Sequence, residues 1–165
     1  MERMLAIVWH SRTGASEALA RAAAEGAAGV SGGGGCRLLR VQDCGPDDLL
    51  AAAGYLFVGP ENLGGLSGAM KELLDRSYYA LLGRIEGRPY ATIVSAGSDG
   101  HGAQAQLDRI VTGWRLRRVA EPMIVNLGAQ TPQEILAPKH VPAGHLIRAR
   151  QLGEALSAGI GMGVF

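Results

Sequence analysis

The stretch His10-Ser11-Arg12-Thr13-Gly14-Ala15-Ser16-Glu17 limits the fold more than any other, because it joins the apolar run Met4-Leu5-Ala6-Ile7-Val8-Trp9 directly to an alanine-rich helical pattern. The pattern predicts a buried strand, a loop of small residues and a helix N-terminus. Such a junction aims unpaired helix amides, the hydroxyls of Ser11, Thr13 and Ser16, and the positive end of a helix dipole at one spot. These donors suit a phosphate dianion without any lysine, since the short side chains permit close approach. A Walker loop would need the GxxxxGK[ST] spacing, which the chain lacks, and no GxGxxG fingerprint follows the first strand.

Strand and helix patterns then alternate. Residues 4–9, 36–41, 54–59, 89–95 and 120–126 predict strands, and residues 15–28, 46–53, 67–82, 102–118 and 143–158 predict helices. Residues 29–35, with four consecutive glycines, must be a loop. Strands separated by helices call for a parallel sheet covered on both faces, with the strand order 2-1-3-4-5 and a ligand at the carboxyl ends around the switch point between strands one and three. Two further small-residue loops agree with that placement. One follows strand three as Gly59-Pro60-Glu61-Asn62-Leu63-Gly64-Gly65, and the other follows strand four as Ser95-Ala96-Gly97-Ser98-Asp99-Gly100-His101-Gly102. Together with the first loop they fall on one edge of the sheet.

A receiver domain of this topology needs carboxylates at the ends of strands one and three, where this chain has Trp9-His10-Ser11 and Gly59-Pro60. A phosphatase of this topology needs a cysteine in the first loop, and none is there. The pattern Ser-x-Thr-Gly-x-Ser after strand one instead resembles the FMN phosphate loop of flavodoxins and flavodoxin-like NAD(P)H:quinone reductases. Ser67-Gly68-Ala69-Met70-Lys71 with Asp75-Arg76, after the proline-led second loop, is similar to a helix signature of the same family. The resemblance implies a flavodoxin-like three-layer α/β sandwich with a five-stranded parallel sheet. It also implies FMN as cofactor, NAD(P)H as reductant and a small-molecule electron acceptor. It assigns the phosphate to Ser11, Arg12, Thr13, Gly14, Ala15 and Ser16, one side of the flavin ring to Pro60, Glu61, Asn62, Leu63 and Gly64, and the pyrimidine side to Ser95, Ala96, Gly97, Ser98, Asp99, Gly100, His101 and Gly102. A second reading of the same family is a flavodoxin-type electron shuttle without NAD(P)H turnover.

Single side chains have plainer readings beside these. Arg12 either pairs with the phosphate or points to water, and Trp9 either flanks the ribityl or ring region or, as the favoured reading, packs in the core. His101 either meets a bound quinone or is a polar residue at a helix start. Glu61 and Asp99 are expected to face solvent. Inward carboxylates would disfavour a reduced anionic flavin by Coulomb repulsion. Tyr78 and Tyr79 predict packing or a subunit contact. Arg115-Leu116-Arg117-Arg118 predicts a solvated helix end.

Composition bounds the rest. With 165 residues, 47% hydrophobic and 19% charged, the chain is expected to form one domain over residues 1–165. With a formal net charge of +1 and no second basic stripe beside Arg115–Arg118, no nucleic-acid partner is expected, and the charge departs from the strong acidity of the shuttle flavodoxins the chain resembles, which tilts the reading to the enzyme. No apolar run of about 18 residues predicts a membrane span, and residues 4–9 lack a signal-peptide pattern, so a cytoplasmic protein is expected. Cys36 and Cys44 flank one strand, about 26 Å apart if extended, and are expected to be reduced thiols. No metal site is expected from the spacing of His, Cys and carboxylates. The proline-bearing segment 126–140 predicts a long loop acting as lid or contact surface, and the tail 159–165 predicts a flexible end. Quinone reductases similar to this chain work as dimers or tetramers, which implies a homo-oligomer.

Overall fold

The computed structural model describes residues 3–165. Its centre is the parallel set β1 (Leu5–Trp9), β2 (Cys36–Arg40), β3 (Gly54–Asn62) and β5 (Pro89–Ala96), in the order β2-β1-β3-β5. The fifth position is shared. β6 (Arg117–Arg118) pairs with Pro89 and Tyr90 at the start of β5, and β7 (Met123–Asn126) pairs with residues 93–96 at its end, both parallel. The expected order 2-1-3-4-5 is therefore the order observed, with the last strand split in two.

Alternation of side chains across the pleat explains why β1 is buried throughout. Leu5, Ile7 and Trp9 join Leu56 and Val58 of β3 on one face, under α1 (Ala15–Ala28) and α6 (Ala143–Met162). Ala6 and Val8 join Tyr55 and Phe57 on the other, under α2 (Pro46–Ala51), α3 (Gly68–Leu81) and α4 (His101–Gly113). Trp9 packs in the core as expected, 6% exposed, with the Arg40 guanidinium 5.6 Å from its ring centroid. Gly26 of α1 lies on the Arg150 carbonyl of α6, and Gly153 of α6 lies on the Ala23 carbonyl of α1, so each helix presents a glycine where the other's backbone comes closest.

Several boundaries differ from the sequence reading. β3 runs past residue 59 to Asn62 and turns back through Leu63 and Gly64 into β4 (Gly65–Leu66), an antiparallel partner of Glu61 and Asn62. α4 stops at Gly113 rather than residue 118. Trp114 packs into the core and Arg115 takes a φ of 62°, which turns the chain away from the helix, so Arg117 and Arg118 are strand and not helix end. The segment 126–140 holds a turn of helix, α5 (Pro132–Leu136). The tail is not flexible backbone at residue 159: α6 continues to Met162, Ile160 is buried, and Gly159 lies against the Phe165 ring. Glu25 pairs with Arg150 of α6, whereas Glu17 takes Arg21 at 2.8 Å. Both cysteines are free, and burial pushes the Cys44 thiol up to about 11, which leaves it unreactive.

Candidate functional site

Gly14 stands at the N-cap of α1, where its φ of 103° needs glycine and no side chain is offered to cap the helix. The first intrahelical bond is Ala18 N–H to the Gly14 carbonyl at 3.0 Å. The amides of Ala15, Ser16 and Glu17 lie ahead of it and have no helical acceptor. Ser11 Oγ accepts from the Gly14 amide at 3.1 Å and keeps its own proton to donate. Ser16 Oγ and Ser95 Oγ, both buried, share a hydrogen bond of 2.8 Å, which seams the first loop to the end of β5 and leaves the pair one free O–H.

A cavity of about 460 Å³ opens over these donors. Ser11, Arg12, Thr13, Ala15 and Ser16 line one part, Pro60, Glu61 and Asn62 a second, and Ser95, Ala96 and Gly97 a third. The structure thus brings all three sequence-selected loops to one space. The other selected residues lie off its lining. Gly14 shapes the turn, and Leu63 and Gly64 form the hairpin tip, Leu63 fully exposed with a φ of 51°. Ser98 accepts from Asn126 Nδ2 through its carbonyl. Asp99 and His101 are exposed and bond each other, Oδ1 to Nδ1 at 2.6 Å, and this bond holds the Asp99 carboxyl below its usual value. Gly100 caps α4, and Gly102 lies on the Gly64 carbonyl, where a Cβ would not fit.

Glu61 departs from its expected place. Its Oε1 accepts from the Gly100 amide at 2.9 Å and its Oε2 from the Ala103 amide at 3.0 Å. The carboxylate therefore caps α4 from a distant strand and answers the positive end of that helix. It clamps the second loop to the third rather than meeting solvent. Arg12 makes a parallel tie: with the Asn62 amide oriented to satisfy both partners, Arg12 Nε donates to Asn62 Oδ1 at 3.1 Å. A deeper tie joins β1 to α3. Nδ1 of the buried His10 lies 2.8 Å from Oγ of Ser67, which caps α3, and burial with Arg12 and Arg40 nearby pushes the His10 pKa down.

The remaining wall comes from the segment 126–140, where the sequence predicts a long loop acting as lid or contact surface: Leu127, Ala129, Ile135, Leu136 and Lys139 complete the lining. The Lys139 amide donates to the Thr13 carbonyl at 2.7 Å, and Gln130 Nε2 reaches the Gly97 carbonyl at 3.4 Å. Thr131-Pro132-Gln133-Glu134 forms a capping box that starts α5, with Glu134 N–H on Thr131 Oγ1 at 3.2 Å. That box was the signal in the sequence from which the wall could have been found. His10 carried no comparable signal.

A β2-β1-β3 parallel sheet with an uncapped helix start and two small-residue loops at its carboxyl edge defines a flavodoxin-like α/β protein. The sequence profile of the NADPH-dependent FMN reductase family matches residues 46–130, just over half of the chain, and the chain belongs to that flavodoxin-like, FMN-binding family. A flavodoxin of Aquifex aeolicus (strain VF5) is 31% identical over 106 residues, 64% of this chain and 57% of its own, so the chain spans little more than half the length of that relative. Among solved structures, a flavodoxin from the domain Archaea aligns over 95% of this chain and 98% of its own, at a TM-score of 0.76 and 15% identity. The WrbA-like flavodoxin of Agrobacterium tumefaciens aligns over 97% and 98%, at 0.68 and 19%. The flavodiiron protein of Giardia intestinalis aligns over 98% of this chain and 36% of its own, at 0.74 and 15%.

Proposed function

We propose that the chain holds FMN in the cavity between the three loops and works as an NAD(P)H-dependent oxidoreductase on a small acceptor such as a quinone or free flavin. The observation that carries this reading is the uncapped start of α1 opening into the same cavity that Pro60–Asn62 and Ser95–Gly97 line. The donor set fits a phosphate: open amides of Ala15 and Ser16, the hydroxyls of Ser11 and Thr13, and no carboxylate among the first-loop residues that line the cavity. FMN, when bound, supplies the electron transfer between reductant and acceptor. The chain's part is to bind and orient it. Glu61 and Arg12 fix the second loop against the third and first, and Ile135 and Leu136 add an apolar wall on the remaining side. The near-neutral net charge of +1 supports an enzyme over a shuttle, which uses strong acidity to steer to protein partners.

A flavodoxin-type shuttle is the second reading, favoured by Leu63, an apolar residue fully exposed at the tip of the loop beside the cavity. Anaerobic spectroscopy separates the two. Bleaching of the yellow protein by NADPH or NADH is the result expected. Reduction only by dithionite or a partner reductase would assign it to the shuttle, and a protein that takes up no FMN would overturn both readings. Self-association belongs to the same proposal: Tyr79 on α3 is 83% exposed, stands 5.3 Å from the Tyr78 ring, and has the exposed Leu82 nearby in sequence.

A further inference from the structure

We infer that Lys139, and not Arg12, is the cation that selects a phosphorylated flavin in this cavity. The inference rests on the FMN reading above and names the residue that gives it phosphate specificity. Both cations line the cavity, but they are held by different parts of it. Arg12 is exposed and its Nε is committed to Asn62 on the second loop, with the Asn62 amide oriented to accept it. Lys139 is half-buried and is tied to the phosphate loop itself, by its main-chain amide on the Thr13 carbonyl at 2.7 Å.

The ammonium is also held in place. Lys139 Nζ donates to the carbonyls of Ile135 at 2.8 Å and Ala137 at 2.6 Å, around the end of α5. An ammonium has three protons to donate, so one remains for an anion. No carboxylate among the described residues pairs with Lys139. A positioned cation without an anionic partner, lining a cavity whose floor is a set of open amides and hydroxyls, is complementary to a dianion. It gives nothing comparable to the neutral ribityl end of riboflavin. Because the tie to Thr13 is made by the backbone, replacing the side chain leaves the strap anchored.

The test is a pair of titrations, FMN and riboflavin, into the apoprotein of the unsubstituted chain and of Lys139→Met, Lys139→Arg, Arg12→Met and Thr13→Ala, followed by flavin fluorescence with thermal unfolding as a folding control. Lys139→Met should weaken FMN binding by about tenfold and change riboflavin binding by less than about twofold. Lys139→Arg should recover most of the loss, and Arg12→Met should leave the ratio of the two affinities near that of the unsubstituted protein. Added salt should weaken FMN binding more in the unsubstituted chain than in Lys139→Met. Full FMN affinity in Lys139→Met, or equal losses for the two flavins, overturns the assignment. If Thr13→Ala lowers FMN affinity selectively while Lys139→Met does not, the lysine role fails and the phosphate loop stands. If neither variant separates FMN from riboflavin, the placement of the phosphate at α1 fails as well. Should Lys139→Met not fold, Lys139→Gln is read by the same criteria.

Discussion

His10 sits at the end of β1 with its Nδ1 on Ser67 Oγ, and burial, Arg12 and Arg40 together lower its pKa from 6.5. The sign of the consequence follows from proton counting. The unfolded chain takes up a proton at His10 near pH 6.5 and the folded chain resists until lower pH, so this residue's contribution is complete above about 6.5 and is lost as pH falls toward the folded value. The unfolding temperature should therefore drop between about pH 7 and about pH 5.5, and His10→Asn should flatten that slope whatever its own stability. Equal slopes in scanning calorimetry would show that His10 does not carry the effect. Glu61 is the second residue whose environment decides its role. Glu61→Ala removes the acceptor for the Gly100 and Ala103 amides and should cost about 1–3 kcal/mol in urea unfolding, with Glu61→Gln losing less because its carbonyl still accepts one of them. An unchanged denaturation midpoint in the alanine variant would place water, and not the carboxylate, at the start of α4.

At the scale of elements, the contact between α1 and α6 depends on two glycines set against each other's backbone carbonyls. Gly153→Ala must push the helices apart and should cost about 1–3 kcal/mol, while Gly144→Ala near the start of α6, with open space around its Cβ, should be neutral or slightly stabilising. Similar unfolding temperatures for the two variants would mean that the pair of helices can separate at little cost. What was legible in the sequence at this scale depended on period and length. β1, α1, β3 and α3 stand out because long apolar or 3.6-residue patterns are bounded by polar loops. The bend after α4 was not legible, since Arg115 adopts a backbone shape that its side chain does not advertise. Nor was the extension of β3 through Glu61 and Asn62, because its polar residues follow a proline and pair only with the two residues of β4. The site divides in the same way: loops that announce themselves by glycine and serine were found, and the Thr131–Glu134 capping box marks the helical turn that carries Ile135 and Leu136, while the docking of that turn and of Lys139 against the first loop rests on a tertiary contact that no local pattern encodes.

For the whole molecule, the proposed self-association gives a direct measurement. Light scattering of the FMN-bound protein at micromolar concentration should return at least about twice 17.2 kDa, and Tyr79→Glu should return the single chain. A single-chain mass for the unsubstituted protein would remove this surface as a subunit contact and strengthen the shuttle reading. The split fifth strand bears on which surfaces are open to such contacts. An outer strand that runs unbroken is a template on which another chain can extend the sheet, and proteins that must stay soluble interrupt it. Here that margin is two residues of β6 and four of β7, separated by Val119-Ala120-Glu121-Pro122, where Pro122 has no amide proton to offer. The opposite margin, β2, carries Arg37 and Arg40 on its exposed positions. Both rims of the sheet are thereby poor templates for strand-to-strand growth, so a concentrated solution of the folded protein should resist fibrous aggregation.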